Sequence, residues 1–389
     1  MTTQPGSGAH RFDLIVIGAG PAGAAAARTA ADAGLRVALV DKQRFPRDKL
    51  CGGGITGRAI GHYRHVFGAD LPDVPLVQCQ DVSFFAFGED LGLVRDVPPL
   101  YLGMRRELDR HLVARAVESG AEDFTGHSGH LDVDGPQPAL QLNDRRLTAQ
   151  IVVAADGVNS ATARKLFGQP FDRSRIGFAL EVESPEAREA PLRIDFGAAE
   201  WGYGWRFPKT TGTTIGVGGV LSRNSDMKAA LAHYLQNLGV EAGLTVKGQF
   251  LPFGAFRKRP GAGRILLAGD AAGLVDPITG EGIGHALHSG HLAAQAAKKA
   301  LSEGIPDQAL GYYCQSLAPI HKALRQAGLL RQIMFQNRLR PAFIRSFRGS
   351  RSLRSEYFRM MAGDGEYTDL MRHLVTRLPG FALRAIRRN

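Results

Sequence analysis

The chain has 389 residues, 44% hydrophobic and 22% charged, an ordinary globular composition long enough for two or three domains at about one per 150 residues. This excludes extended disorder, and the lack of any charge-free apolar run of about 20 residues excludes a spanning helix. The net charge of +11 is local: residues 321–389 hold fourteen Arg and one Lys against Glu356, Asp364, Glu366 and Asp369, and the remainder is balanced.

The opening MTTQPGSGAH is polar and offers no secretory signal. Cys51, Cys79 and Cys314 are widely spaced, which suits a reducing compartment and forms no metal pattern. The expectation is a cytoplasmic protein, or one held against the membrane from that side. FDLIVIG (12–18) predicts a buried strand, PAGAAAARTAADAG (21–34) a helix ended by Gly34, and LRVALVD (35–41) a second strand closing on an acid. That β-α-β start is the signature of an open sheet with helices packed on it.

Next comes DKLCGGGITGRAI (48–60), a lone cysteine before three glycines. Glycine costs conformational entropy and packs nothing, so something must approach this backbone closely. VSFFAFG (82–88) reads as a strand, RRELDRHLVARAVESG (105–120) as a helix, and AQIVVAADG (149–157) as a strand ending in Asp-Gly. LRIDFG (192–197), WGYGWRFPK (201–209) and TTIGVGGVL (213–221) predict antiparallel strands of a separate sheet. GRILLAGDAAG (263–273) is another strand ending in an acid, and EGIGHALHSGHLAAQAAKKAL (281–301) a long helix.

Gly18-Ala19-Gly20-Pro21-Ala22-Gly23 is G-x-G-x-x-G between a predicted strand and helix. Gly18 permits the tight turn, Gly20 lets backbone approach a diphosphate, and Gly23 allows close helix–strand packing. The helix N-terminus adds free N–H groups and partial positive charge. Asp41 and the adjoining Lys42 close the second strand, with Asp41 spaced to meet ribose hydroxyls. No second such motif has a comparable setting, so one tightly held dinucleotide is expected.

GDAAGLVDPITGEGIGHALHSG (269–290) resembles the flavoprotein superfamily of aromatic hydroxylases and geranylgeranyl reductases. FPRDKLCGGGITGRAI resembles the Cys-Gly-Gly loop of the geranylgeranyl reductases, and WGYGWRFPK their Tyr-x-Trp-x-Phe-Pro-Lys element. The five elements in order span most of residues 12–300. The resemblance implies FAD, with Gly269 and Asp270 at its ribityl and phosphate region. Gly280, Glu281, Gly282 and Ile283 would lie along the isoalloxazine, with Pro277, Arg105, Asp156 and Gly157 also in contact with the cofactor. Asp156 has a blander reading as a strand-end turn cap.

It further implies an α/β fold: a Rossmann-like FAD-binding domain (1–70, 101–170 and 256–305), an inserted antiparallel β-sheet substrate domain (71–100 and 171–255), and a basic helical C-terminal region (306–389). Cys51, Gly52 and Gly53 would lie against the flavin. Cys51 either positions or protonates substrate, or is a small apolar wall. Tyr203 and Trp205, two apart on a strand, face one way, toward a pocket or a core.

The implied reaction is saturation of polyprenyl C=C bonds by hydride from reduced FAD, with NAD(P)H or ferredoxin as electron donor. The rivals are a flavin monooxygenase of an aromatic or polyketide substrate and a non-catalytic flavin carrier. The tail interleaves Phe, Ile, Leu and Met with Arg, which suits peripheral contact with anionic lipid, a grip on a diphosphate or phospholipid head, or a cap with a solvated face. Nucleic acid is disfavoured, since no stacking platform accompanies the charge.

Overall fold

The β-α-β start forms from residues whose spacing leaves no alternative burial. His10–Ile17 pairs in parallel with Val37–Asp41 and, on its other side, with Arg145–Ala154. In this computed structural model, which describes residues 10–143, 145–185, 191–241 and 243–372, those strands centre an eight-stranded sheet. Its main path runs Gly261–Ala262, Ile265–Leu267, Arg145–Ala154, His10–Ile17, Val37–Asp41, Glu122–Thr125.

Helices α1 (Pro21–Asp32), α2 (Gly57–Phe67), α3 (Arg105–Glu118), α4 (Ala161–Phe167), α5 (Met227–Asn237) and α6 (Ile283–Ser302) follow in chain order. The alanine face of α1 lies against α6 so closely that a Cβ on Gly290 would stand 2.0 Å from the Ala22 carbonyl oxygen. Ala22, Ala26, Ala293 and Ala297 fill this seam and are fully or almost fully buried. Small side chains therefore fix how near the α6 N-terminus comes to the glycine turn.

A seven-stranded sheet runs Lys247–Leu251, Gly177–Ser184, Gly212–Val220, Tyr203–Lys209, Leu192–Phe196, Val82–Ala86, Glu89–Val94. All its pairs are antiparallel except Leu192–Phe196 with Val82–Ala86. The expectation of purely antiparallel strands is corrected there. The two strands come from segments separated by the parallel sheet, so no hairpin forces them to reverse. Helix α5, also unanticipated, buries Met227, Leu231 and Tyr234 on this sheet.

Beyond α7 (Ala309–Ser316), helices α8 (Ala318–Phe335), α9 (Arg340–Gly349) and α10 (Arg351–Ala362) lay Phe335, Phe347, Tyr357 and Phe358 against Phe84 and Phe196. Arg325, Arg338, Arg345, Arg348, Arg351 and Arg359 point outward. Residues 373–389 of the basic tail lie outside the described residues. No helix among the described residues is long and apolar enough to cross a membrane.

The α2–α6 seam carries stacked His62 and His288, with ring centroids 4.2 Å apart, and His65 and His291, with Nε2 atoms 3.2 Å apart. Burial first, then repulsion among these rings, His285 and Arg58, lowers His62 to about 3 and His288 to about 4. The ordinary value is 6.5, so below it the unfolded chain takes up protons that the folded seam refuses. Stability is therefore expected to fall as pH drops from 6.5 toward 4. Melting temperature against pH checks this. His62→Gln/His288→Gln should flatten the fall, and an unchanged slope would place the acid sensitivity elsewhere.

Candidate active site

At the glycine turn each glycine has its own cause. Gly18 sits at φ +93°, and a Cβ there would be 2.3 Å from the Ala155 carbonyl oxygen. A Cβ on Gly23 would be 1.7 Å from the oxygen of Gly18. Gly20 differs: its added Cβ would meet only the guanidinium ends of Arg47 and Arg105, at 3.7 and 4.0 Å. No protein backbone requires that glycine; it faces a cavity.

Asp41 braces the turn, its Oδ2 accepting from the Ala19 N–H and its Oδ1 from the Gln43 N–H, each at 2.8 Å. Helix α1 begins at Pro21 with no acidic residue in its first turn, so its N-terminal positive charge stays uncompensated by the helix itself. Arg105 donates twice to buried Asp109 at 2.8 Å, and Arg47 lies 3.1 Å from the same carboxylate. Lys49 is lowered from its ordinary value by burial, then by Arg105 and Arg47, with Asp270 opposing.

The cavity, about 790 Å³, runs from this turn to the aromatic strand Tyr203–Lys209. Of the residues singled out by sequence, Gly18, Gly20, Pro21, Ala22, Asp41, Lys42, Cys51, Gly52, Gly53, Arg105, Asp156, Gly157, Tyr203, Trp205, Asp270, Pro277, Gly280, Gly282 and Ile283 all line it. Gly23 and Gly269 do not. Gly23 packs under Gly18, and Gly269 backs onto Ala22 and Ala286. Asp156 also serves its own backbone, accepting from Ser160 Oγ at 2.5 Å and from the Thr162 N–H at 3.1 Å to cap α4.

Two of the three consecutive glycines answer to protein neighbours. A Cβ on Gly52 would be 3.0 Å from the Phe207 ring and 3.2 Å from Trp205 Nε1. Gly53 has φ +67°, and its Cβ would be 2.0 Å from the Gly103 oxygen and 2.6 Å from Lys209 Nζ. Lys209, 3% exposed, donates to the carbonyls of Gly52 and Gly103, and burial lowers it to about 8. Opposite, Glu181 Oε1 accepts from the Cys51 N–H at 3.0 Å, while its buried Oε2 has no partner among the described residues.

The Cys51 sulfur accepts from the Gly53 N–H at 3.4 Å. Tyr203 donates to the Thr279 carbonyl at 2.6 Å, and a Cβ on Gly280 would be 2.4 Å from its hydroxyl. Burial raises this phenol above its ordinary value, so it keeps its proton. Tyr203 and Trp205 rings lie 5.8 Å apart on one face, as their spacing requires.

Glu281, which the resemblance set along the isoalloxazine, lines the cavity, is bonded by Thr56 Oγ1 at 2.5 Å and is raised by burial to about 7. Sequence reading overlooked several other lining residues. Arg331 and Phe335 of α8 and Tyr357 and Met361 of α10 complete the wall beyond Tyr203. One signal was available: Ala327, Leu330, Met334 and Phe335 form an apolar helical face, and Arg331 sits within it.

The residues present fit a flavin dinucleotide. Gly20 and the α1 N-terminus offer backbone donors beside Arg47 and Arg105 for a diphosphate, and the segment Pro277 to Ile283 and the CGGG turn line the same cavity. A family model described as FAD dependent oxidoreductase matches residues 13–87. The fold and site thus define a flavoprotein enzyme, an FAD-dependent oxidoreductase.

The chain is 34% identical over 314 residues to a menaquinone reductase of Mycolicibacterium smegmatis, covering 73% of this chain and 76% of that one. It is 31% identical over 315 residues to a geranylgeranyl diphosphate reductase of Rhodobacter capsulatus, covering 76% and 77%. The solved structure of a geranylgeranyl bacteriochlorophyll reductase-like protein from Thermoplasma acidophilum superposes with a TM-score of 0.78 at 21% identity, covering 95% of this chain and 100% of the other. The chain belongs to the geranylgeranyl reductase-like family.

Burial raises Glu181 to about 7 from its ordinary 4.5. The unfolded chain ionises first, so this group's contribution to stability is lost as pH rises from 4.5 through 7. Glu181→Gln keeps an acceptor for Cys51 with no charge to bury. Its melting temperature should equal or exceed that of the wild type at about pH 8, with a flatter dependence below. Glu181→Ala, which leaves the Cys51 N–H unmet, should cost about 1–3 kcal/mol. A Gln variant weaker than wild type at high pH would contradict the assignment.

Proposed function

We propose that the protein saturates C=C bonds of a polyprenyl group. The observation that carries this reading is the continuity of the cavity, which joins a phosphate-compatible glycine turn to a wall of Trp201, Tyr203, Trp205, Phe207, Phe335 and Tyr357. These rings offer an alkene no charge of their own and exclude water from it, so placement must supply much of the rate. FAD, when bound, supplies hydride chemistry.

The chain's part is binding, orientation and proton handling. Gly20, Arg47, Arg105 and the α1 N-terminus would hold the diphosphate, Asp41 and Lys42 the adenosine side, and Asp156, Gly157 and Asp270 the middle. Pro277, Gly280, Gly282 and Ile283 would bear on the ring system, opposite Cys51, Gly52 and Gly53. Glu281, raised by burial to about 7 at the cavity wall, is poised to give or take a proton at its carboxyl near neutral pH. Tyr203 and Trp205 set the path of the chain. This reading assigns the cofactor to residues 1–70, 101–170 and 256–305, and takes NAD(P)H or ferredoxin as the electron source.

The test is to reduce the yellow protein without oxygen, add a geranylgeranyl lipid, and follow flavin absorbance and product mass together. Flavin reoxidation with two hydrogens gained per double bond is expected. Flavin that stays reduced until oxygen enters, with oxygen then found in the product, would overturn the reading in favour of a monooxygenase.

We further infer peripheral contact with anionic membrane through α8. Leu329 is 60% exposed and Ile333, four residues on, is exposed with Arg325 on the same helix, while Arg338 and Leu339 are exposed in the turn that follows it. Lipid accommodates such apolar groups, and each nearby arginine adds about 1 kcal/mol on an anionic surface. Sedimentation with phosphatidylglycerol vesicles should carry the protein down, and Leu329→Asp/Ile333→Asp should leave it in the supernatant. Equal sedimentation of both would remove α8 from the contact.

A further inference from the structure

Arg331 is a buried cation for which the protein provides little. It is 6% exposed on α8, among Ala327, Leu330, Met334 and Phe335, all buried. Of its five N–H donors, one Nη2 donor goes to the Trp201 carbonyl, and Nε is buried without a partner. No carboxylate forms an ion pair with it among the described residues. The guanidinium lies over the Phe253 ring at 4.5 Å and opens into the cavity beside Trp201 and Phe335.

Among the described residues, the carboxylate that draws it is Asp276. That group is already engaged, since Oδ1 accepts from the N–H groups of Ile278 and Thr279, and Oδ2 accepts from the Tyr367 hydroxyl. Arg223, stacked on Trp201 at 4.3 Å, adds positive charge instead of relieving it. A guanidinium kept from water with one acceptor is costly unless another oxyanion arrives. Its planar fork matches a phosphate in particular. Packing alone would be met by Leu or Met here.

The cations of the dinucleotide end are others. Arg47 and Arg105 lie by Gly20, whereas Arg331 stands with the aromatic wall and the C-terminal helices. The oxyanion it awaits is therefore not the cofactor's diphosphate.

We propose that Arg331 receives the phosphate end of the substrate, so that the polyprenyl chain enters as a phosphate ester and not as the tail of a quinone. This rests on the prenyl-reducing function above and assigns that site its substrate class. A phosphate anchored at Arg331 fixes the chain's register, and so decides which double bond meets the reacting position. The ester has two possible sources, a free prenyl diphosphate or the phosphate of a prenylated glycerolipid.

The experiment uses the oxidised holoprotein. Inorganic diphosphate, geranylgeranyl diphosphate, digeranylgeranylglyceryl phosphate and menaquinone are each titrated by calorimetry and by perturbation of the flavin spectrum. All three phosphates are expected to bind and to compete. Arg331→Gln should weaken each by on the order of 10²-fold, with FAD content unchanged, and Arg331→Lys should recover part of the loss. Whichever prenyl phosphate binds more tightly identifies the source.

Menaquinone that binds undisturbed by diphosphate, in the wild type, would overturn the proposal without recourse to any variant. Loss of FAD from a folded Arg331→Gln protein would overturn it too, by giving the arginine to the cofactor. If the phosphates bind through Arg331 but no prenyl compound reoxidises the reduced flavin, the functional reading fails and the phosphate subsite stands.

Discussion

Lys209 holds the molecule's two halves to one another. Its ammonium leaves water to bind the carbonyls of Gly52 and Gly103, one in the CGGG turn and one at the end of the strand Leu100–Gly103. The lysine itself ends the aromatic strand of the seven-stranded sheet. This contact sets the spacing between the glycine-rich backbone and the rings of Trp205 and Phe207, and hence the width of the cavity. It also explains Gly53, where any side chain would displace the ammonium. Burial works against the charge on Lys209, and the nearby Glu181 favours it.

The same economy of space governs the other wall. The α6 N-terminus reaches the cavity because α1 and α6 meet through alanines and glycines, with no side chain larger than a methyl at the crossing near Ala22 and Gly290. Tyr203 then ties the far sheet to this wall through the Thr279 carbonyl. The cavity is thus bounded by contacts between segments distant in sequence. Its rigidity is a property of the whole chain and not of any one motif, which is what a reaction relying on placement requires.

How much of this was legible depended on the range of the rule involved. The glycine turn, the strand ending at Asp41 and the paired faces of Tyr203 and Trp205 follow from local spacing, and local spacing is written in the sequence. The CGGG run announced a close approach, but not that Phe207, Trp205 and Lys209 make much of it, since those partners lie over 150 residues away. The parallel pairing of Leu192–Phe196 with Val82–Ala86 was hidden for the same reason. Asp156 was legible as a strand-end acid, and its capping of α4 needed the Ser160 and Thr162 geometry.

The C-terminal helices were the hardest to read because their composition averages two opposite surfaces. Most of their arginines are solvated, and as a set they suggest only a basic face. The pattern separates when each arginine is weighed against its helical neighbours three and four residues away. Arg325 lies four residues from exposed Leu329, where a solvated cation costs little. Arg331 is flanked by Ala327, Leu330, Met334 and Phe335, all buried. A charge in that row must be compensated, and the protein leaves its compensation to whatever enters the cavity. One helix thus serves two solvents, with its outer side suited to water or lipid headgroups and its inner side to a single buried anion.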